Sequence, residues 1–305
     1  MHWTGKVESV AFYIGNKGVA WYGIFITFGM LLALWVSTRR MKRVKATTDQ
    51  MMTLFLIVIP AAVIAARLGY VVANYSHYFV KPYDWQAFVN TIAIWEGGLT
   101  ILWGVPGGVL AGVIWCRMYK KDLIRCTDII LPVALLAQAI GRWGNFMNQE
   151  LYGQLVTNAQ HQWFPLAVYI ADLHSWHQAT FFYEFVLDLV GFSVLSVLYK
   201  RLDVKGFGTL GYAAWYTLTR GILEFFRVES NSFEDKLGFN LVQVICFVVA
   251  GLCLAAIVVI CCIKRFKKGE RVFYAHGYPL EKSHEPDDLP EDNNVNTQPD
   301  AAVAK

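Results

Sequence analysis

Charge is scarce in this sequence. Of its 305 residues only 16% are Asp, Glu, Lys or Arg, while 56% are hydrophobic; soluble domains carry about 25% charged residues. That shortfall excludes an ordinary soluble domain and points to a chain that crosses a membrane several times. A disulfide framework is also missing. Of the six cysteines, Cys116, Cys126, Cys261 and Cys262 sit beside basic loops, and Cys246 and Cys253 lie inside an apolar run. Neither these cysteines nor His161, His174 and His177 show the spacing of a metal site, so no metal is expected. Met1 to Lys17 has no basic, then apolar, then small-residue cleavage pattern, so no removed signal peptide is expected. No internal repeat is visible, and no nucleic-acid partner is expected.

Long apolar runs are what the chain has instead. A bilayer helix needs about 20 mostly apolar residues, and seven stretches qualify: 18–37, 51–74, 96–116, 127–146, 179–199, 207–227 and 239–263. Basic residues crowd alternate connections. Arg39, Arg40, Lys42, Arg43 and Lys45 follow the first run, Arg117, Lys120, Lys121 and Arg125 the third, Lys200, Arg201 and Lys205 the fifth, and Lys264, Arg265, Lys267 and Lys268 the last. The positive-inside rule then predicts an all-α integral membrane protein of seven transmembrane helices, N-terminus outside and C-terminus cytoplasmic. Residues 1–268 form the membrane domain. The polar, acidic stretch 269–305, with Pro279, Pro286 and Pro290, reads as a disordered cytoplasmic tail. The aromatic-rich connection between spans four and five, about 147–178, is expected to form a small extracytoplasmic head.

Polar groups gather at the outer ends of particular spans. Read as a helix, Gln138, Arg142, Asn145 and Gln149 follow at spacings of four, three and four and share one face. An arginine among neutral hydrogen-bonding groups suits a phosphate oxygen, because its planar fork donates two bonds at once. Tyr216, Arg220, Glu224 and Arg227, at spacings of four, four and three, form a second such face near the end of span six. Two arginines and a glutamate there need partners; Glu224 can pair with either arginine, as structure or as part of a site. Arg67, near the outer end of span two, can snorkel to the headgroups. Gly104, Gly108 and Gly112 recur every four residues in span three, a spacing that lets helix backbones approach closely. Pro106 in the same span is expected to bend it and to be buried in protein or to face a cavity.

The run Gly141-Arg142-Trp143-Gly144-Asn145-Phe146-Met147-Asn148-Gln149-Glu150-Leu151-Tyr152-Gly153 resembles the signature G-R-x-G-N-F-x-N-x-E-x-x-G of the bacterial prolipoprotein diacylglyceryl transferases. Further elements are similar to the same family: Trp21-Tyr22-Gly23 in span one, Arg67-Leu68-Gly69-Tyr70 in span two, Thr180 to Glu184 in span five, and Tyr216, Arg220, Glu224 and Arg227 in span six. The resemblance covers nearly all the chain outside the tail. It implies transfer of the diacylglyceryl group of phosphatidylglycerol to the lipobox cysteine thiol of preprolipoprotein signal peptides. A thioether forms and glycerol phosphate leaves, at the bacterial cytoplasmic (inner) membrane and without a cofactor. The catalytic residues it implies are Arg142, Arg220, Tyr216 and Glu150. Phosphatidylglycerol would be bound by Arg142, Asn145, Asn148, Gly153, Tyr22, Arg220, Glu224 and Arg227, with Gly153 permitting a loop turn.

The chain departs from the family pattern in two places. Gln178 and Ala179 stand where the family usually has histidine-proline, with His177 one step early. Leu102 stands where many members have a histidine after the glycine pair of span three, and none of the seven runs contains a histidine. A thiol must lose its proton to attack, so the base would be a carboxylate or a tyrosine, or an arginine would merely stabilise thiolate. Two alternatives stay open: an impaired relative acting as a lipid-binding scaffold, and a transporter. The clustering of charge near the outer ends disfavours the transporter.

Overall fold

The computed structural model describes residues 8–15, 17–78, 85–94, 97–202, 204–227, 240–267 and 272–273. Apart from 272 and 273, the expected tail 269–305 lies outside the described residues. Nine helices follow one another among them: α1 (Trp21–Met41), α2 (Thr48–Ala73), the short α3 (Tyr75–Tyr78) and α4 (Trp85–Ile92), α5 (Ile101–Met118), α6 (Leu123–Met147), α7 (Thr180–Arg201), α8 (Phe207–Leu223) and α9 (Leu241–Cys262). Six of these, α1, α2, α5, α6, α7 and α9, are long and apolar enough to cross a membrane. The outward faces agree. Leu56, Ile64, Leu68 and Val72 on α2 and Leu252, Leu254 and Val258 on α9 are all at least half exposed. Such contiguous apolar surface is unfavourable in water and costs nothing against lipid tails. The molecule is a mostly helical integral membrane protein.

Three of the long helices start at side-chain caps. Thr47 and Gln50 form a reciprocal capping box at the start of α2, Asp122 accepts from Arg125 N at the start of α6, and Asn240 accepts from Gln243 N at the start of α9; each satisfies a backbone donor the helix leaves open. Three of the boundaries that differ from the sequence reading bear on the site. The first helix begins at Trp21 rather than 18, because Lys17–Ala20 (β2) pairs antiparallel with Val10–Ile14 (β1). The third begins at Ile101 rather than 96. Gly97 and Gly98 hold φ of +87° and +71°, and a Cβ on Gly98 would stand 2.6 Å from both Arg67 Nη1 and the Tyr70 ring. The sixth ends at Leu223; one 3-10 turn, Glu224–Phe226, follows, and Arg227 is extended with φ −81° and ψ 147°. Arg227 therefore does not share a helix face with Tyr216 and Arg220.

Small residues set the helix crossings. Gly107 of α5 meets α2 so closely that a Cβ there would lie 2.3 Å from Ala65 Cβ, and Gly104 and Gly108 also face α2 across short gaps. Gly112 has open space around it, so only part of the expected glycine stripe packs. Pro106 is exposed on the far side of α5, contrary to the expectation of a buried or cavity-facing proline. It shares its helix face with exposed Leu102 and Leu110, the side of α5 left to lipid. Helix α6 is central and packs on α1, α7 and α8; Ile129, Val133, Leu135 and Ala139 on it are 1% exposed or less. Between α1, α2, α5 and α6 lies a cavity of about 690 Å³, lined almost wholly by apolar side chains such as Leu34, Phe55, Val58, Val105 and Leu131.

The basic connections gather at one end. Lys121 Nζ donates to Lys45 O at 2.5 Å, Trp115 Nε1 to Gln50 O at 2.9 Å, and Lys205 pairs with Asp122. Fully buried Asp128 of α6 takes Gly206 N at 2.7 Å, Thr209 N at 2.9 Å and Thr209 Oγ1 at 2.9 Å, clamping the start of α8. At the other end the connection between α6 and α7 is ordered. Ala167–Ile170 (β3) and Ser175–Gln178 (β4) form an antiparallel hairpin, seated on an aromatic cluster in which Trp143 touches the rings of Phe146, Phe164, Phe181, Phe182 and Phe185. Neither hairpin was expected from the sequence, where short irregular strands carry no distinctive period.

Candidate functional site

Helices α6, α7 and α8 run side by side from the clamped end and open a small cavity towards the hairpin end. Arg142 of α6, Glu184 and Asp188 of α7, and Tyr216, Thr219, Arg220 and Leu223 of α8 line it. Arg142 Nε lies 2.5 Å from Glu184 Oε2, and Arg227 Nη2 donates to Glu184 Oε1 at 3.2 Å. Arg220 Nη1 lies 2.7 Å from Glu224 Oε2, while Asn240 Nδ2 donates to Glu224 Oε1 at 3.4 Å. The Arg142 and Arg220 contacts are ion pairs by distance, but their N–H directions are off the hydrogen-bond line. Two buried glutamates thus hold three guanidiniums, and breaking such a pair leaves a buried charge uncompensated.

The glutamates leave donors unused. A guanidinium has five N–H groups, and among the described residues neither Nη of Arg142 is hydrogen-bonded. Among the described residues Arg220 is engaged at Nη1 alone. Two arginine forks, fixed by carboxylates behind them and lining a shared cavity, have the chemistry to hold a polyanionic group such as a phosphate. Tyr216 stacks on Tyr212 at 6.0 Å and 13°, and Gln138 Nε2 donates to the Tyr212 hydroxyl at 3.0 Å. This polar ladder leads from the middle of α6 into the cavity.

The structure brings some of the expected residues together and separates others. Arg142, Tyr216 and Arg220 share the cavity, Glu224 holds Arg220, and Arg227 reaches the cavity's edge through Glu184. Asn145, Asn148 and Glu150 form their own cluster at the end of α6. Asn145 Nδ2 donates to Glu150 Oε1 at 2.8 Å and Asn148 Nδ2 to the same oxygen at 3.4 Å. They hold one another, and Arg142 is oriented by Glu184. Gln149 leaves the helical face altogether. Its φ is +50°, its Nε2 donates to Tyr169 O at 3.3 Å and its Oε1 accepts from Ala171 N at 3.3 Å. Tyr22, in the first turn of α1, covers Gly144: a Cβ there would be 2.5 Å from the Tyr22 ring.

Gly153 serves close approach. The turn itself uses left-handed Gln149 and Leu151, with φ +50° and +55°. Gly153 pairs with Arg227 in an isolated antiparallel bridge, and a Cβ on it would lie 2.8 Å from Gln178 Cβ, Phe226 O and Thr180 Cγ2. The bridge stitches the connection after α6 to the end of α8. His177, 6% exposed, is bound at both ring nitrogens, to Gly153 O at 2.9 Å and Ser175 Oγ at 3.0 Å. It is a structural histidine of the hairpin.

Three residues carry more than the sequence reading assigned them. Glu184 is the hinge of the arginine array, and Asp188 lines the same cavity one turn on. The signal was two carboxylates four apart in an otherwise apolar span, since ionisable side chains within a bilayer mark a site by default. Arg67 does not snorkel. It is 6% exposed, and its guanidinium donates to the backbone carbonyls of Thr91, Gly97, Gly98 and Asn90 at 2.6–3.1 Å, between the rings of Tyr70 and Tyr78. Sequence offers no signal for a ligand set made of backbone carbonyls.

Comparison with known proteins meets this geometry from outside. The family model described as prolipoprotein diacylglyceryl transferase matches residues 9–260. A phosphatidylglycerol–prolipoprotein diacylglyceryl transferase of Bacillus licheniformis is 36% identical over 268 residues, covering 87% of this chain and 95% of the relative. Proteins of the same name from Oceanobacillus iheyensis and Streptococcus uberis are 34% and 33% identical, over 75% and 86% of this chain and 80% and 97% of theirs. The chain belongs to the prolipoprotein diacylglyceryl transferase family and is a transferase.

Proposed function

We propose, from membership of this family, that the chain moves the diacylglyceryl group of phosphatidylglycerol onto the lipobox cysteine of preprolipoproteins at the cytoplasmic (inner) membrane. The observation that carries the reading is the convergence on one cavity of Arg142 and Arg220, each engaged by a glutamate through a single nitrogen. The cysteine sulfur attacks the glycerol carbon that bears the phosphate, the carbon–oxygen bond breaks, and glycerol phosphate leaves with the electron pair. Charge grows on the phosphate as that bond breaks. Two arginines held in place by Glu184 and Glu224 stabilise it without reorganising, which is the efficient form of electrostatic catalysis. Tyr216 lines the same cavity, while the Asn145–Asn148–Glu150 cluster, with Tyr22 and Gly153, borders the headgroup outside it. The apolar cavity between α1, α2, α5 and α6 suits a substrate with long acyl chains.

The same reading takes α8 as the seventh span. At 17 residues plus a 3-10 turn it meets the lower length limit for crossing a bilayer. With the N-terminus outside and the basic connections in the cytoplasm, the β3–β4 head and the arginine cavity face the outer leaflet. Residues 1–268 form the transferase domain and 269–305 a cytoplasmic tail. The test uses purified protein, phosphatidylglycerol labelled in its non-acylated glycerol, and a peptide with a lipobox cysteine. Labelled glycerol phosphate and a diacylglyceryl mass gain on the peptide are expected together, and neither with serine in place of cysteine. Phospholipid binding without either product would leave a lipid-binding scaffold.

A further inference from the structure

The proposed transfer needs a group that takes the thiol proton, and the sequence has leucine, Leu102, where a histidine would stand in many relatives. Leu102 is 75% exposed in the first turn of α5, outside the cavity. The candidates must be sought among the side chains that line the cavity. Glu184 is committed to Arg142 and Arg227, Glu224 to Arg220 and Asn240, and Glu150, outside the cavity, to Asn145 and Asn148. Tyr216 carries a phenol rather than a carboxylate and is stacked on Tyr212. His177 has both nitrogens bound within the hairpin.

Asp188 is different. It is 5% exposed and lines the cavity, and among the described residues it has neither a hydrogen bond nor an ion pair within contact distance. A buried carboxylate without a donor is expensive and calls for an explanation. An incoming S–H supplies that donor. The groups facing it are Arg142 from α6, Glu184 one turn back on its own helix, and Tyr212, Tyr216 and Arg220 from α8. Arg142, which can hold the phosphate, and Asp188, which can meet the thiol, thus line one cavity.

Resting on the transfer reading above, the geometry points to Asp188 as the catalytic proton acceptor of this chain. Its carboxylate oxygen takes the thiol hydrogen, and the sulfur lone pair forms the new bond to carbon. The old carbon–oxygen bond leaves its electron pair on the phosphate. The proton then passes from Asp188 to the departing glycerol phosphate or to water, restoring the carboxylate.

The test compares wild type, D188N and D188E in the full chain, with a cysteine lipobox peptide and the same peptide carrying selenocysteine, whose selenol is already ionised at neutral pH. With cysteine at pH 7, D188N is expected to lose on the order of 100-fold in glycerol phosphate release, within the range of general-base contributions. Its rate should climb with pH towards the thiol pKa of about 8.5. With selenocysteine, D188N should return close to the wild-type rate. D188E, which keeps a carboxylate, should retain most activity and show no preference for the selenol. Equal loss on both peptides, or no loss, overturns the assignment while leaving the transferase reading intact. If wild type releases no glycerol phosphate from either peptide, the transfer reading fails and this assignment falls with it. Should D188N not be recovered folded, D188E decides. An acid limb of its pH–rate profile displaced from wild type supports Asp188, and superimposable profiles overturn it.

Discussion

Charge alone does not explain what arginine does at residues 67, 142 and 220; the shape of the guanidinium does. Arg142 and Arg220 each give one edge to a carboxylate and leave other donors for the cavity. Lysine keeps the charge but presents a single point, with no second edge. Arg142→Lys and Arg220→Lys are therefore expected to insert normally and to lose about 100-fold of transfer rate, the cost of one misplaced charge-stabilising donor. Rates measured on detergent-purified variants of equal thermal stability check this, and wild-type rates would remove the phosphate clamp. Arg67→Lys should behave differently. An ammonium cannot reach four carbonyls spread over Asn90 to Gly98, and each lost charged hydrogen bond costs about 1.5–3 kcal/mol. The expected result is a lower unfolding temperature, with activity falling only as the folded fraction does. An unchanged melting curve would show that the carbonyl cage contributes nothing.

At the scale of elements, the position of α8 against α6 decides whether two arginines form one site. The helices run in the same direction. Fourteen residues separate Asp128 from Arg142, and fourteen separate Gly206 from Arg220, about 21 Å on either helix at 1.5 Å per residue. The Asp128 clamp at one end thus levels the arginines at the other. Gly208 lets the backbones touch, since a Cβ there would stand 2.0 Å from Asp128 O. Gly208→Ala should cost about 1–3 kcal/mol by overpacking and should slow transfer beyond the loss of folded protein, because α8 must move. Gly251→Ala on α9, which meets open space, is the matched control; it should leave transfer unchanged and gain no more than about 1 kcal/mol from helix propensity. Thermal unfolding and transfer rates on both variants decide the point. Nearby, the hydrogen bond from Lys205 holds the Asp122 carboxyl below its ordinary value. Its folded pKa being the lower, its small stabilisation is present above the unfolded value near 3.9 and disappears as pH falls through the folded one. Both side chains are close to half exposed, so Asp122→Asn at pH 7 should cost no more than about 1 kcal/mol.

For the whole molecule, everything proposed here depends on which ends face out. Reporter fusions after Lys45, Lys121, Arg201 and Lys268 should behave as cytoplasmic, and fusions near Trp163 and Ser232 as exported. A cytoplasmic Trp163 would overturn the topology, because Arg142 would then meet the wrong leaflet. The fold gives this arrangement one internal consistency. The connections 42–45, 119–122 and 202–206 are tied together at one end. The hairpin and the Gly153–Arg227 bridge close the other end over the arginines.

The sequence by itself determined the membrane class, the approximate spans and the family. Each of these rests on local signals: apolar runs of a length set by the bilayer, basic residues between them, and fixed spacings such as Gly141 to Gly153. It also placed Arg142 and Arg220 at corresponding ends of their spans. Only tertiary structure decided what those arginines meet. Ion pairs between helices far apart in sequence carry no period, so Glu184, forty-two residues beyond Arg142 and forty-three before Arg227, could not be read as their common partner. The same holds for Arg67, whose ligands are backbone carbonyls present in every sequence, and for Gly153, whose missing side chain matters because Phe226 and Gln178 pass within 3 Å of where it would be. Helical spacing even misled at Gln149 and Arg227. The ends of helices are set by what the chain meets next, here the hairpin and the last turn of α8, and that contact is a property of the fold.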